Sequence, residues 1–261
     1  MTTKEVLAWL EKTGTKAARD GMARYGIVAS HACGVPMGAL LKKSREIGTD
    51  QRLSLALWDT GCYEARLLAA LVGDPAQVTR TQMKSWGDGF ENWADGDTAC
   101  FKLLDRSPLA WEFVGIWANS PREYTKRGAF ALLASLALHD RKTSDSTFMR
   151  MLPVVEAAAV DERNFVVKGV SWALRSIGRR SPALASACLT LASRLSSSKA
   201  ATTRWIGNDV SRELSKLAGK KTPARSAPSA KSSAATGNSA TKAAPRKTRA
   251  RRPATTKATR R

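Results

Sequence analysis

The first residues in this sequence that suggest chemistry are an indole and a carboxylate, Trp93 and Asp97, spaced four positions apart. A helix places residues with that spacing on one face, and here the face continues with Cys100 and Leu104. A carboxylate on a face that becomes apolar is costly to bury unless a cation pairs with it, and Arg127 is our candidate partner. An indole and a paired carboxylate together can stabilise positive charge, through the ring face and through the negative oxygens.

A second carboxylate, Asp95, comes two residues before Asp97 and lies on nearly the opposite face of the same predicted helix. Acidic residues in the first turns of a helix are favoured by the helix dipole, by about 0.3–1 kcal/mol. This ordinary explanation suffices for Asp95. It does not account for Asp97, because Asp97 shares its face with an indole.

Another tryptophan lies within a basic stripe on a helix predicted over 162–179. The stripe follows the helical spacings i, i+4, i+7 and i+11 and consists of Lys168, Trp172, Arg175 and Arg179. Cationic side chains beside an exposed ring form a surface suited to nucleic acid. The alternative is an indole half buried against the next helix, with solvated charges around it, and the sequence leaves both interpretations open.

Four helix starts share a pattern in which a basic residue precedes an apolar run. The shared basic residues are Arg66, Arg127, Lys168 and Arg204. Their later spacings of 41 and 36 residues suit a stacked array of helix pairs of the HEAT or armadillo kind, in which alternate helices line a concave surface. The basic residues would then form a ladder along that surface. The alternative is that four loose matches near helix ends arise by chance.

The segments that must position these residues are predicted to be helices almost throughout, because apolar residues recur at i, i+3, i+4 and i+7. Prolines after Asp or Ser mark several helix starts, and glycines mark helix ends. We place helices near 3–19, 36–47, 50–60, 62–72, 75–86, 92–105, 108–118, 121–139, 145–159, 162–179, 182–196 and 201–218. No segment alternates as a strand would, so the predicted class is all-α, an α-solenoid of HEAT-like repeats.

Composition divides the 261 residues into a body, 1–218, and a tail, 219–261. The net charge is +21, and the tail holds 13 of the 43 Lys and Arg residues without any acidic or aromatic residue. Such a segment cannot bury enough apolar surface to offset its ordering entropy, so we expect it to be disordered. We expect it to tether DNA non-specifically by counterion release. A basic extension without a role, and association with RNA, are the alternatives.

From the same sequence we expect a protein that is neither membrane-spanning nor secreted. No apolar run approaches the roughly 18 residues of a membrane span, and the amphipathic start lacks the apolar core of a secretory signal. The four cysteines are far apart without a CxxC pair, so we predict neither a metal site nor a disulfide framework. We therefore expect a soluble cytoplasmic, nucleoid-associated protein with an anionic partner and no membrane contact.

Six runs of the sequence, in order over about 20–218, together resemble the DNA alkylation repair family of HEAT-repeat glycosylases. The runs are MARYGI at 22–27, YEARLLA at 63–69, NW with the acid at 92–97, YTKRGAFAL at 124–132, DERNF at 161–165 and WALR at 172–175. The resemblance implies an α-solenoid whose basic concave face holds duplex DNA. It also implies an N-glycosylase that removes cationic alkylpurines such as 3-methyladenine and 7-methylguanine, without a cofactor.

The family's working residues carry over by position. The resemblance implies that Trp93 and Asp97 are the catalytic pair, that Trp172 is the second cleft tryptophan, and that Arg127 and Arg175 are cleft arginines. An alkylated purine already carries positive charge, so the remaining task is to stabilise the oxocarbenium-like sugar, which a carboxylate can do. The sequence departs from the family in having Ala94 directly after the first tryptophan, where relatives often have Asp.

The catalytic prediction therefore names Trp93, Asp97 and Trp172. The DNA-binding prediction combines the ladder and the stripe and consists of Arg66, Arg127, Lys168, Arg175, Arg179 and Arg204. We expect the partner to be alkylated double-stranded DNA and the protein to be a monomer. The alternative function is a non-catalytic HEAT-like scaffold that binds DNA or protein, because a fold alone does not assign function.

Deleting residues 219–261 tests the role of the tail. We expect the truncated protein to remain helical, because the deleted segment contributes no core. Binding to undamaged DNA at low salt should weaken, and the slope of log affinity against log salt concentration should become flatter. An unchanged slope in a salt titration would show that the tail does not contact DNA.

Overall fold

A computed structural model describes residues 1–218, and within them all regular structure is helical. The helices α1 to α13 are Thr3–Thr13, Lys16–Gly21, Met37–Ile47, Gln51–Asp59, Tyr63–Val72, Arg80–Asp88, Trp93–Lys102, Ala110–Ala118, Glu123–His139, Asp145–Ala158, Asn164–Gly178, Pro182–Ser196 and Ala201–Ala218. The all-α prediction is confirmed for this part of the chain. Residues 219–261, and the predictions made for them, lie outside the described residues.

The helix predicted over 3–19 is wrong as a single element, because it divides into α1 and α2. Gly14 ends α1 with an extended backbone, and Thr15 starts α2 by accepting a hydrogen bond from Ala18 N at 3.2 Å through its side chain. The division has a packing reason as well. A Cβ atom at position 14 would lie only 2.2 Å from the carbonyl oxygen of Cys33, so only glycine permits this close approach.

Two other predicted helices begin or end at different residues in the structure. The predicted start at Pro75 produces only a 3₁₀ turn, Pro75–Gln77, and α6 begins later because Thr79 accepts a hydrogen bond from Gln82 N at 3.1 Å. The helix predicted over 92–105 ends at Lys102 and is followed by a short 3₁₀ turn.

The helices form two layers of paired elements, as expected for an α-solenoid. Helices α5, α7, α9, α11 and α13 contact one another in chain order, and we call them the inner layer. Helices α4, α8, α10 and α12 each pack against the inner helix that follows, and α10 also contacts α8 and α12. The four ladder residues all lie on inner-layer helices, as predicted. The repeat pattern missed α7, which lies between α5 and α9.

Aromatic packing behind the inner layer fixes the start of α9. Trp117 on α8 lies against Gly87 on α6, and the carbonyl oxygen of Gly87 accepts a 2.6 Å hydrogen bond from the Thr125 hydroxyl on α9. The Thr125 contact holds the first turn of α9, and with it Arg127, in place.

No helix among the described residues is both long and apolar enough to span a membrane.

Replacing Gly87 with alanine tests this packing. The added Cβ would lie 2.5 Å from the indole nitrogen of Trp117, so the core must shift, and we expect a loss of about 1–3 kcal/mol in the free energy of unfolding. Gly115→Ala is the matched control, because its Cβ meets nothing within 4 Å and alanine is the better helix former by about 1 kcal/mol. Denaturant titrations of equal stability for the two variants would contradict this account.

Candidate functional site

A bidentate ion pair between Asp97 on α7 and Arg127 on α9 forms the centre of the candidate site. Arg127 Nε donates to Asp97 Oδ1 at 3.0 Å, and Nη2 donates to Oδ2 at 2.8 Å. The side chains are only 9% and 16% exposed, respectively, so the pair is largely removed from water. The structure therefore contains the ion pair that the sequence predicted.

The same guanidinium reaches a third helix of the inner layer. Arg127 Nη1 donates to the carbonyl oxygen of Phe165 at 3.0 Å, at the first turn of α11. Burial raises the pKa of the Asp97 carboxyl, and the charge and hydrogen bonds of Arg127 act in the opposite direction. Each carboxylate oxygen can still accept a further hydrogen bond, because each has two lone pairs.

Aromatic rings flank the ion pair on two sides. The Arg127 guanidinium carbon lies 5.8 Å from the ring centroid of Trp93 and 5.9 Å from that of Phe165. The Trp93 indole N–H donates to the carbonyl oxygen of Tyr25 at 2.9 Å. This contact places the exposed segment around Tyr25 at the rim of the site. The sequence identified Trp93, but it missed Phe165 as a site residue and Tyr25 as the acceptor.

Trp172 on α11 packs against α7 through a ring that the sequence prediction overlooked. Its indole stacks on Phe101 with the centroids 4.9 Å apart and the planes 5° apart. Phe101 lies one helical turn after Asp97 on α7, so Trp172 joins the same face of the inner layer. The spacing of Phe101, eight residues after Trp93, was the available signal. The predicted contact of Trp172 with a sugar remains a prediction.

The basic stripe on α11 is not a row of free cations. Arg175 Nε lies 3.3 Å from Asp209 Oδ2, and both Arg175 and Arg179 form ion pairs with Glu213. The two acids belong to α13, the next inner helix, and the sequence interpretation did not anticipate them. Local acids therefore balance much of the charge that Arg175 and Arg179 were predicted to offer to DNA.

Arg66 is balanced in a similar way. Its Nη1 donates to Glu91 Oε1 at 2.8 Å and to the Gly89 carbonyl oxygen at 3.1 Å, and it lies 3.8 Å from Asp95 Oδ2. Its guanidinium carbon also lies 5.1 Å from the ring centroid of Trp58. Arg66 is thus a largely buried link between α5 and the start of α7.

Lys168 and Arg204 are the ladder residues that remain exposed. Lys168 Nζ lies 5.7 Å from the ring centroid of Phe165, and no acid of the described chain forms an ion pair with it. Arg204 donates to the carbonyl oxygens of Ser198 and Lys199, so its charge is not neutralised by these contacts. Beside them Trp205, which the sequence interpretation did not single out, is 45% exposed.

Fold and site together define a HEAT-like helical-repeat protein with a largely buried carboxylate and arginine pair on its inner layer. The family model described as DNA alkylation repair enzyme matches residues 6–206, and the chain therefore belongs to that family. No curated protein matches the sequence.

One solved structure with the same fold comes from work on "a new family of proteins related to the HEAT-like repeat DNA glycosylases with affinity for branched DNA structures". It aligns with a TM-score of 0.68 and 20% sequence identity, over 82% of this chain and 96% of that chain. At this identity the similarity establishes the HEAT-like fold.

Asp95 has a structural position distinct from that of Asp97. Its buried carboxylate completes a capping box at the start of α7 and accepts hydrogen bonds from the backbone N–H groups of Glu91, Asn92 and Gly96. Burial nevertheless raises its pKa to about 6. The capping role agrees with the ordinary explanation given for Asp95 from the sequence.

The raised pKa of Asp95 predicts a pH dependence of stability. Because the folded-state pKa of about 6 exceeds the value of 3.8 for an unperturbed aspartate, this group stabilises the fold most below about pH 4 and loses that contribution as pH rises through 6. Asp95→Asn removes the titration. Between pH 4 and 7, the unfolding free energy of the variant should therefore improve relative to the parent by about 2–3 kcal/mol.

The matched control is Asp74→Asn, which replaces a half-buried aspartate that caps the 3₁₀ turn after α5. Hydrogen bonds lower the pKa of Asp74, so its contribution to stability is present above about pH 4 and is lost only as pH falls below that value. The stability difference between Asp74→Asn and the parent should therefore change little between pH 4 and 7. Denaturant titrations at several pH values measure both. A pH-independent difference between the parent and Asp95→Asn would show that Asp95 does not titrate as described.

Proposed function

We propose that this protein excises cationic alkylpurines, such as 3-methyladenine and 7-methylguanine, from duplex DNA as an N-glycosylase. The observation that carries the proposal is the position of Asp97. It is a nearly buried carboxylate held by Arg127, beside the rings of Trp93 and Phe165, at the face of the inner layer. Membership of the DNA alkylation repair family supports the same substrate class.

The chemistry requires no strong general acid. When the bond between C1′ and the purine nitrogen breaks, its electron pair neutralises the cationic base, which leaves. The sugar becomes oxocarbenium-like, and the negative charge of Asp97 stabilises it. Water, oriented by a free lone pair of Asp97, then adds to C1′, and the proton that it loses passes to the solvent. Because Arg127 fixes both oxygens beforehand, the carboxylate needs little reorganisation during the reaction.

The indoles have a supporting role in this mechanism. The electron-rich faces of Trp93 and Trp172 favour positive charge developing on a nearby sugar. Lys168 and Arg204 are exposed and suited to phosphate contacts, which position DNA without specifying its sequence. The family resemblance implies that the damaged nucleotide is held by its backbone and stays largely stacked.

Asp97→Asn is the test of the proposed chemistry. The substitution keeps the size of the side chain while removing its negative charge, and we expect single-turnover release of 7-methylguanine to fall by about 10²–10³. Affinity for the same DNA should hold or rise, because a negative charge leaves a phosphate-binding surface. Base release is measured by chromatography, and affinity by fluorescence anisotropy.

Asp95→Asn is the matched control for this test. It changes a carboxylate on the same helix, but that carboxylate belongs to the capping box and not to the ion pair with Arg127. Its rate of base release should stay close to that of the parent once both are compared at a temperature where each is folded. If Asp95→Asn is inactive while Asp97→Asn retains the parental rate, the carboxylate role belongs to Asp95.

A second candidate function is the binding of branched DNA without catalysis. The structural relative described as having affinity for branched DNA aligns over 96% of its own length, and this observation favours the candidate. The ion pairs of Arg175 and Arg179 also leave fewer free cations for a long duplex. A parent protein that releases no base, yet binds a four-way junction more tightly than a linear duplex of equal length, would establish this function instead.

A further inference from the structure

Three side chains with metal-binding atoms meet beside the start of α5, away from the ion pair of Asp97. His31 and Cys33 lie in the loop that precedes α3, and Cys62 is the N-cap residue of α5. One ligand atom from each of these side chains lies within 4.8 Å of the other two. The cysteine spacing in the sequence predicted no metal site, because 28 residues separate Cys33 from Cys62 and only the fold joins them.

The separation of the two sulfurs matches a metal site. Cys33 Sγ and Cys62 Sγ are 3.8 Å apart. In a tetrahedral zinc site with Zn–S distances of about 2.3 Å, two sulfur ligands are separated by about 3.8 Å. Two thiols in van der Waals contact can have the same separation, so the imidazole of His31 is the feature that favours a metal.

The loop is held in position by the protein before any ligand arrives. Glu64 on α5, which is 1% exposed, accepts hydrogen bonds from Cys33 N at 2.8 Å and from Gly34 N at 2.6 Å. The carbonyl oxygen of His31 accepts a hydrogen bond from Tyr63 N at 2.8 Å. His31 and Cys33 are thus fixed to α5, the helix whose N-cap residue is Cys62.

The local charge also favours a cation. The nearest Glu64 oxygen lies 3.8 Å from Cys62 Sγ, and Glu64 forms no ion pair with a basic side chain of the described chain. A divalent metal that replaces the two thiol protons would place positive charge beside this buried carboxylate. Hydrogen-bonded carboxylates next to metal ligands commonly orient those ligands and strengthen binding.

We propose that His31, Cys33 and Cys62 bind one Zn²⁺ ion. Two thiolates and one imidazole are a donor set that suits zinc, and hard cations such as Mg²⁺ and Ca²⁺ prefer oxygen ligands. His31 is exposed, so the fourth coordination position faces solvent and is open to water. The ion would join the loop that carries His31 and Cys33 to the start of α5.

Zinc binding would also affect the candidate site, because the segment before His31 contacts residues of that site. This segment supplies the Tyr25 carbonyl oxygen that accepts the Trp93 indole N–H, and the Ser30 hydroxyl donates to Glu91 at 3.1 Å. An ion bound to His31 and Cys33 would therefore secure the rim of the site. The zinc site does not depend on the proposed glycosylase activity, and it can be tested without DNA.

The test is a metal titration of the reduced, chelator-treated full-length protein. Co²⁺ should bind at one equivalent per chain with a sulfur-to-cobalt charge-transfer absorption, and Zn²⁺ should displace it. Cys33→Ser should abolish the absorption, and His31→Gln should weaken binding by at least about tenfold. Cys188→Ala is the matched control, because this buried cysteine on α12 lies outside the cluster.

Two further measurements separate a loss of zinc binding from a loss of folding. His31 is exposed, so His31→Gln should stay folded by circular dichroism even if a cysteine variant does not. Zn²⁺ should also slow amide hydrogen exchange over 25–35 in the parent while leaving α12 unchanged.

Three results would overturn the proposal. The first is a folded, reduced parent without charge-transfer absorption, and the second is unchanged zinc affinity in Cys33→Ser. The third is formation of a Cys33–Cys62 disulfide at the same rate with and without Zn²⁺, which would assign the cysteines to redox chemistry.

Discussion

The interaction on which the site depends most is the set of hydrogen bonds from one buried guanidinium. Arg127 contacts the carboxylate of α7 and the backbone of α11 from its own position on α9, so it fixes three consecutive inner helices to one another. Removing either charge from a buried pair typically costs about 3–5 kcal/mol, because the remaining charge is left without a partner. The geometry of the candidate site and the packing of the solenoid at this point are therefore one constraint.

Several arginines of the inner layer form ion pairs with acidic residues of the protein itself. The arginines that look like free cations in the sequence are paired within the protein, by Glu91 for Arg66 and by acids of α13 for Arg175 and Arg179. Such pairs join neighbouring helices of the array, which gives the layer rigidity. Of the six basic residues singled out in the sequence, Lys168 and Arg204 are the two that form no ion pair with an acid of the described chain, and both are exposed, as is the indole of Trp205.

The segment between α2 and α3 connects the candidate site around Asp97 to the proposed zinc site. At one end its backbone holds Trp93 through Tyr25, and at the other end it holds His31 and Cys33 against α5. Glu64 fixes this segment through backbone N–H groups and not through side chains. Its role is therefore independent of the identities of most of the loop residues, which makes it hard to detect in a sequence.

The sequence by itself determined the helical class, the repeat that places Arg66, Arg127, Lys168 and Arg204 on inner helices, and the shared face of Trp93 and Asp97. These features follow from local periodicity, which a linear pattern records directly. Only the tertiary structure decided which charges pair across helices, that Phe101 stacks on Trp172, and that His31, Cys33 and Cys62 meet. Those contacts join residues far apart along the chain, and their partners are chosen by helix packing, for which the sequence pattern of one helix carries no signal.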